Sequence, residues 1–207
     1  MSEEEIMKEK ILTACRDRFL RDGFSRTSVD EISSDLGISK KTFYKHFSNK
    51  EDVVRQIMER VRGAVRGNAE RILTGDKTAV EKLRDFITMI GLATGQLGVP
   101  FGQDMKKHIP GLWKEMEEFR RQRISDVFTR LISQGVEEGT MRFELNKRVF
   151  LMCVLSAIDR IMQPQILAEE SFSVSDALKE IISIFFLGTL TPKGRDQFDN
   201  LHSTQPT

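Results

Sequence analysis

Apolar residues recur at helical spacing along almost the whole chain. The first stripe, through Ile11, Cys15 and Phe19, predicts a helix that ends at Asp22 and Gly23. No stretch shows the sustained alternation of apolar and polar residues that is typical of a strand. The pattern predicts an all-α protein of about nine helices. They cover about residues 4–21, 28–36, 39–47, 49–61, 78–97, 101–108, 110–135, 146–167 (with a kink at Pro164) and 173–190.

Residues 28–47 have the pattern of a helix-turn-helix. Ser28 and Glu31 match a capping box, Gly37 breaks the first helix, and Ser39 can cap a short second helix. On that second helix, positions 43 and 47 share an inward apolar face, while positions 41 and 45 point nearly opposite, with positions 42 and 44 beside them. The outward set therefore combines ammonium groups for phosphates with a hydroxyl and a phenol that could reach a DNA groove.

The distribution of charge supports a nucleic-acid partner, although the total charge does not. The formal net charge is +1, but residues 36–50 contain four lysines and no acidic residue, whereas residues 1–9 contain four glutamates. The residues expected to contact DNA are Thr27, Ser28, Ser39, Lys40, Lys41, Thr42, Tyr44, Lys45, His46 and Lys50. The turn could instead be a merely solvated basic segment of a helical bundle.

This segment resembles the TetR/AcrR family of one-component bacterial transcriptional regulators. The resemblance rests on residues 24–32 (FSRTSVDEI) and 36–51 (LGISKKTFYKHFSNKE). With the preceding Gly23 they hold a Gly-Phe before the Thr, a Gly-x-Ser turn, a Tyr-x-His-Phe core and a Lys-Glu pair. Phe43 stands where the family often has Leu or Ile, and Asp35 where many members have Ala. The specific match covers about residues 6–55; the remainder agrees in length, helical content and order.

The resemblance implies a two-part, all-α molecule that binds an operator as a homodimer, usually as a repressor. It implies a helix-turn-helix domain over residues 1–50 and a helical ligand-binding and dimerisation domain over residues 51–195, linked by a helix from about residue 49. The composition of residues 196–207 indicates a polar tail. The residues of the last helix support dimerisation independently, because they are apolar nearly all round and need partners on more than one side. The predicted interface residues are Ala157, Ile161, Leu178, Ile181, Ile182 and Phe185. These residues could also form an ordinary intrachain core.

Aromatic and methionine residues in the middle of the chain are candidates for an effector pocket. The candidates are Phe86, Ile90, Thr94, Phe101, Met105, Trp113, Met116, Phe119, Arg123 and Cys153. A small, largely apolar effector would suit such a lining, but the same stripe is also what a core looks like. Arg123, on the apolar stripe, is expected to pair with Asp104 or Asp159, or to face an anionic ligand.

Composition and missing motifs narrow the remaining function classes. With 39% hydrophobic and 30% charged residues the chain can bury a core, and it has no apolar stretch of about 18 residues and no secretory signal, so we expect a cytoplasmic protein without a membrane partner. Cys15 and Cys153 are expected to be reduced and buried. No metal-ligand spacing, nucleotide loop or nucleophile motif occurs, which favours a non-enzyme without a cofactor. The alternative is a helical adaptor that binds a protein and not DNA.

Overall fold

The computed structural model describes residues 2–95, 99–142, 144 and 146–203, and these residues form an all-α fold, as predicted. The described helices are α1 (Glu3–Asp22), α2 (Val29–Leu36), α3 (Lys40–His46), α4 (Lys50–Thr74), α5 (Ala79–Gly95), α6 (Val99–His108), α7 (Pro110–Glu137), α8 (Lys147–Ile161), α9 (Pro164–Glu169), α10 (Val174–Leu187) and α11 (Pro192–Ser203). Within these ranges the only β-type pairing is one antiparallel bridge between Met141 and Leu190. No described helix is both long and apolar enough to cross a membrane.

The described residues form eleven helices where the sequence predicted about nine. The expected helix over 146–167 is divided before Pro164, because proline lacks an N–H and suits the first turn of a new helix. Pro192 likewise begins α11, where the sequence indicated a helix end followed by a polar tail. The α11 helix is anchored by Lys193, whose Nζ donates to the Glu138 carbonyl at 2.8 Å, and by Gly194, whose backbone approaches the Thr140 carbonyl closely.

The described residues within Met1–Ala64 and Gln96–Met116 group into one unit. Its core includes Phe19, Phe43 and Phe47, all with 1% or less of their surface exposed. The unit extends beyond the boundary at residue 51 that the sequence indicated, because residues from α4, α6 and α7 join the same core. These residues are Val53, Val54, Ile57, Met58, Phe101, Met105, Ile109 and Leu112.

The described residues within Val65–Gly95 and Glu117–Thr207 group into a second unit. Four aromatic rings lie at its centre: Phe128 is 4.7 Å from Phe186, 5.7 Å from Phe86 and 6.3 Å from Phe150, between ring centroids. Phe128 is fully buried and contacts rings from α5, α8 and α10. This ring cluster therefore joins four helices of the unit.

The two cysteines differ in environment. Cys15 is fully buried in the first unit, as predicted, whereas Cys153 is exposed on α8, so the expectation that it is buried was wrong. Burial raises the pKa of the Cys15 thiol to about 12. Both cysteines are free thiols.

Candidate nucleic-acid interface

Local capping and one glycine set the angle between α2 and α3. The Ser28 backbone N–H donates to the Glu31 carboxylate at 2.7 Å, and the Glu31 N–H donates back to the Ser28 hydroxyl at 3.2 Å, which is the predicted capping box. Gly37 ends α2 in the left-handed region at φ +62°, where other residues would be strained. Ser39 then begins α3 by accepting the Thr42 N–H at 3.0 Å.

The α3 helix presents the two faces that its spacing predicted. Phe43 and Phe47 are buried, and their rings lie 5.8 Å apart. Tyr44 is 52% exposed, and Lys41 and Lys45 are exposed. A buried aromatic pair thus holds α3 while its polar face stays open to a partner.

Two lysines of α3 pair with carboxylates that are themselves exposed. Lys40 Nζ lies 2.5 Å from Asp30 Oδ1, and Lys45 Nζ lies 3.4 Å from Glu4 Oε1. Ion pairs between such exposed groups stabilise a protein by less than about 1 kcal/mol, so phosphates can replace these partners at little cost. Lys41 has no ion-pair partner among the described residues.

Two predicted DNA contacts are instead part of the protein's own framework. Thr27 is 1% exposed, and its hydroxyl donates to the Gly23 carbonyl at 2.9 Å. Lys50 Nζ donates to the Phe24 carbonyl at 2.9 Å and to the Thr27 carbonyl at 2.6 Å, and lies 4.6 Å from the centroid of the Phe24 ring. Desolvation lowers the pKa of Lys50. These side chains hold the loop between α1 and α2, and the Lys50 ammonium does not extend the basic surface as predicted.

The structure adds Arg26 to the candidates. Arg26 is exposed and lies beside α3 in a surface cleft of ≈ 340 Å³. The lining residues are Ser25, Arg26, Thr27, Ser28, Val29, Asp30, Lys40, Tyr44 and Lys50. A basic residue two positions before a helix N-cap was the sequence signal that could have identified it.

The remaining predicted contacts lie at the two ends of α3 and at the start of α2. Ser28 and Ser39 are exposed N-cap residues, and their hydroxyls are engaged in capping. The Thr42 hydroxyl lies 2.9 Å from the Ser39 hydroxyl, and His46 is half-buried in the last turn. These residues and the exposed Lys41, Tyr44 and Lys45 together line α3 and the N-caps of α2 and α3 with polar groups.

The candidate pocket residues do not lie in one hydrophobic cluster. Phe101 and Met105 are buried in the core of the first unit, and Trp113 and Met116 pack against that core, whereas Phe86 is buried in the second unit. Four further candidates, Ile90, Phe119, Arg123 and Cys153, lie on α5, α7 and α8. Ile90 packs against the core of the second unit, Phe119 and Arg123 are half-buried, and Cys153 is exposed. The side chain of Thr94 lies outside the described residues.

Arg123 pairs with neither carboxylate that the sequence indicated. Its Nη1 lies 3.4 Å from Asp126 Oδ2, one helical turn along α7. Asp159 instead accepts hydrogen bonds from Arg121 at 2.6 Å and Arg120 at 3.3 Å. The local partner is reached because positions three apart face each other on a helix.

The structure places the six expected dimer residues of α8 and α10 in or against the core of their own unit. Leu178, Ile181 and Ile182 are buried in the core of their own unit, so they are not available to a second copy. Ala157, Ile161 and Phe185 are half-buried and pack against the same core. The exposed apolar residues of these two helices are Val149 (54%), Met152 (61%), Ile184 (61%) and Leu187 (39%), which we call the α8–α10 apolar face.

Comparison with known proteins identifies the family of the helix-turn-helix segment. Residues 11–57 match the family model described as bacterial regulatory proteins, tetR family. These residues therefore form a TetR-family DNA-binding segment. The matched residues contain α2, α3 and the buried Phe43 and Phe47, which are the features that present the polar face of α3.

Three proteins are similar to this chain over nearly its whole length. An HTH-type transcriptional regulator of Bacillus subtilis, YvaF, is 20% identical over 92% of this chain and 99% of its own. The fatty acid metabolism regulator protein of the same species is 18% identical over 86% of this chain and 93% of its own. A crystal structure of a TetR-family transcriptional regulator from Marinobacter aquaeolei has the same fold, with a TM-score of 0.72, 19% identity and full coverage of both chains.

Proposed function

We propose that this TetR-family regulator represses transcription by binding operator DNA as a homodimer, with α3 of each protomer in the major groove. The observation that carries the proposal is the face of α3, where Lys41, Tyr44 and Lys45 are exposed above a buried Phe43–Phe47 pair. A short helix held rigidly by its apolar side and open on its polar side is what groove recognition requires.

Replacing Lys41 by alanine is expected to weaken binding to all DNA and to flatten its salt dependence. One lost phosphate contact per subunit removes ~0.9 from the slope of log K against log salt, or about 1.8 for a dimer. The measurement is fluorescence anisotropy at several NaCl concentrations, with DNA from upstream of the protein's own gene and an unrelated fragment of equal length. We expect a smaller change for Lys45→Ala, since Glu4 already neutralises that ammonium in part.

Lys107→Ala is the matched control, because Lys107 is an exposed lysine on α6, outside the α3 face. A Lys41→Ala variant with the wild-type slope would show that Lys41 touches no phosphate. Should the wild-type protein bind neither fragment at low salt, the DNA-binding proposal fails and the adaptor alternative is favoured.

We infer further that a small, largely apolar effector releases the repressor from DNA. Trp113 supports this proposal: its indole Nε1–H is shielded from solvent and has no acceptor among the described residues. An acceptor on a bound molecule would satisfy that donor, and Met105 and Met116, which belong to the same hydrophobic cluster as Trp113, are adaptable apolar partners. The name of the Bacillus subtilis relative, a fatty acid metabolism regulator, agrees with an apolar class of effector.

An effector that binds here is expected to change the fluorescence of Trp113, the single tryptophan of the chain. A ~100-fold preference for the DNA-free conformation, equivalent to about 2.7 kcal/mol, would shift the operator equilibrium substantially. The measurement is titration with a panel of fatty acids, sterols and amphipathic aromatic compounds, followed by anisotropy on operator DNA. Trp113→Phe is the control, because it should remove the optical signal and leave the release intact. A panel that changes neither signal would contradict the effector proposal.

A further inference from the structure

The loop between α1 and α2 carries Arg26 and the N-cap of α2, and its Phe24 is buried in the core of the first unit. It runs from Gly23 to Ser28 and forms one wall of the cleft beside α3. Arg26 is exposed and has no ion-pair partner among the described residues, so its position depends on the backbone beneath it. The contacts that hold this loop in place therefore also determine which groups the Arg26 guanidinium can reach.

Asp104, on α6, binds this loop from 79 residues away. Its Oδ2 accepts the Ser25 backbone N–H at 2.8 Å, and the Ser25 hydroxyl lies 3.0 Å from both carboxylate oxygens. The Asp104 side chain is 19% exposed, which strengthens these charge-assisted bonds relative to bonds in water.

Gly23 permits the close approach of this carboxylate. Its φ is +90°, and a Cβ at that position would lie 2.8 Å from Asp104 Oδ2. Lys50 holds the same loop from α4, through the carbonyls of Phe24 and Thr27. The loop is therefore held at its carbonyls by a lysine and at an N–H by an aspartate, both from helices outside the helix-turn-helix.

We propose that Asp104 is a positioning residue for DNA binding: it holds the loop so that Arg26 and the start of α2 meet the DNA backbone without prior reordering. The inference rests on the proposed function and adds a residue from α6, which lies outside the family match. A loop that is ordered before binding spares the complex the entropy of ordering it at the moment of contact. Asp104 touches no DNA in this scheme and acts through Ser25.

Asp104→Ala is expected to weaken operator binding by about tenfold, the size of effect that ordering one loop can have. Asp104→Asn keeps an oxygen that can accept the Ser25 N–H and should retain affinity within about threefold of wild type. Gln103→Ala, at the exposed neighbouring position on α6, is the matched control and should leave binding unchanged. Binding to the upstream DNA fragment is measured by anisotropy well below the unfolding midpoint of each variant, which is determined in parallel.

A double-mutant cycle separates positioning from a merely structural role. If Asp104 aligns Arg26, then Arg26→Ala should cost several-fold in affinity in the wild-type background and much less in the Asp104→Ala background. Additive costs, or an Asp104→Ala protein that loses thermal stability but binds the operator like wild type, would overturn the inference. If Asp104→Ala does not fold, Ser25→Ala, which removes the hydroxyl contacts to Asp104, is crossed with Arg26→Ala in the same way and decides the question.

The same measurements keep this inference apart from the proposed function. A wild-type protein that binds no DNA would overturn the proposed function, and this inference with it. A wild-type protein that binds the operator, with an Asp104→Ala variant of equal affinity and salt slope, would overturn only the role of Asp104.

Discussion

Replacing Met152 and Ile184 together by glutamate is expected to leave the protein monomeric and to weaken operator binding by more than about 100-fold. Both side chains are 61% exposed, and with Val149 and Leu187 they form the α8–α10 apolar face. Soluble proteins rarely leave such a face uncovered, and a two-fold dimer would cover it with its own copy. Two carboxylates per protomer would then face two more across the axis. Monomers lose the second half-site, which lies about 34 Å away on the DNA.

Sedimentation velocity at micromolar concentration measures the dimer directly, and a thiol reagent gives an independent measurement. Cys153 is exposed on α8 and directly follows Met152 in the chain. A dimer should therefore shield its thiol from the reagent, and the thiol should react quickly in the double variant. Cys15, buried and with a pKa raised to about 12, should react in neither protein until it unfolds.

Thr129→Glu, at an exposed position on α7, adds a charge at a residue that is not part of the α8–α10 apolar face and should leave the protein dimeric. Wild-type protein that sediments as a monomer with operator DNA present would refute a dimer, and a dimeric double variant would place the interface elsewhere.

Phe128→Ala is expected to lower the free energy of unfolding by about 3–5 kcal/mol, the usual cost of truncating a fully buried phenylalanine. Phe128 touches the rings of Phe86, Phe150 and Phe186, so its loss leaves a cavity shared by four helices that cannot easily collapse. Urea denaturation followed by circular dichroism measures the change.

Phe119→Ala is the matched control for this substitution. It makes the same truncation on the same helix at a half-buried position, and its cost should be clearly smaller. Equal losses for the two variants would show that the ring cluster is not the centre of the second unit's stability.

The helix-turn-helix could be predicted from local sequence signals. The Ser28–Glu31 capping box, the Ser39 N-cap, Gly37 and the 43/47 spacing all act within a few residues, so each could be recognised without knowing the rest of the chain. The same locality explains why the exposed face of α3 was predicted correctly. Charge patterning also identified the basic segment, although it could not show that Glu4 and Asp30 neutralise two of its lysines.

The contacts of individual apolar and charged side chains could be read only from the tertiary structure. Lys50 had the sequence pattern of a DNA contact, yet it binds backbone carbonyls in the loop between α1 and α2. Because α10 is apolar on nearly all sides, the sequence indicated that it packs against partners on more than one side. It could not show that Ile181 faces the core whereas Ile184 is exposed. Asp104 meets Ser25 across 79 residues. Periodicity reports which positions are apolar along one helix, whereas the neighbour that covers them is set by long-range packing, which no local pattern contains.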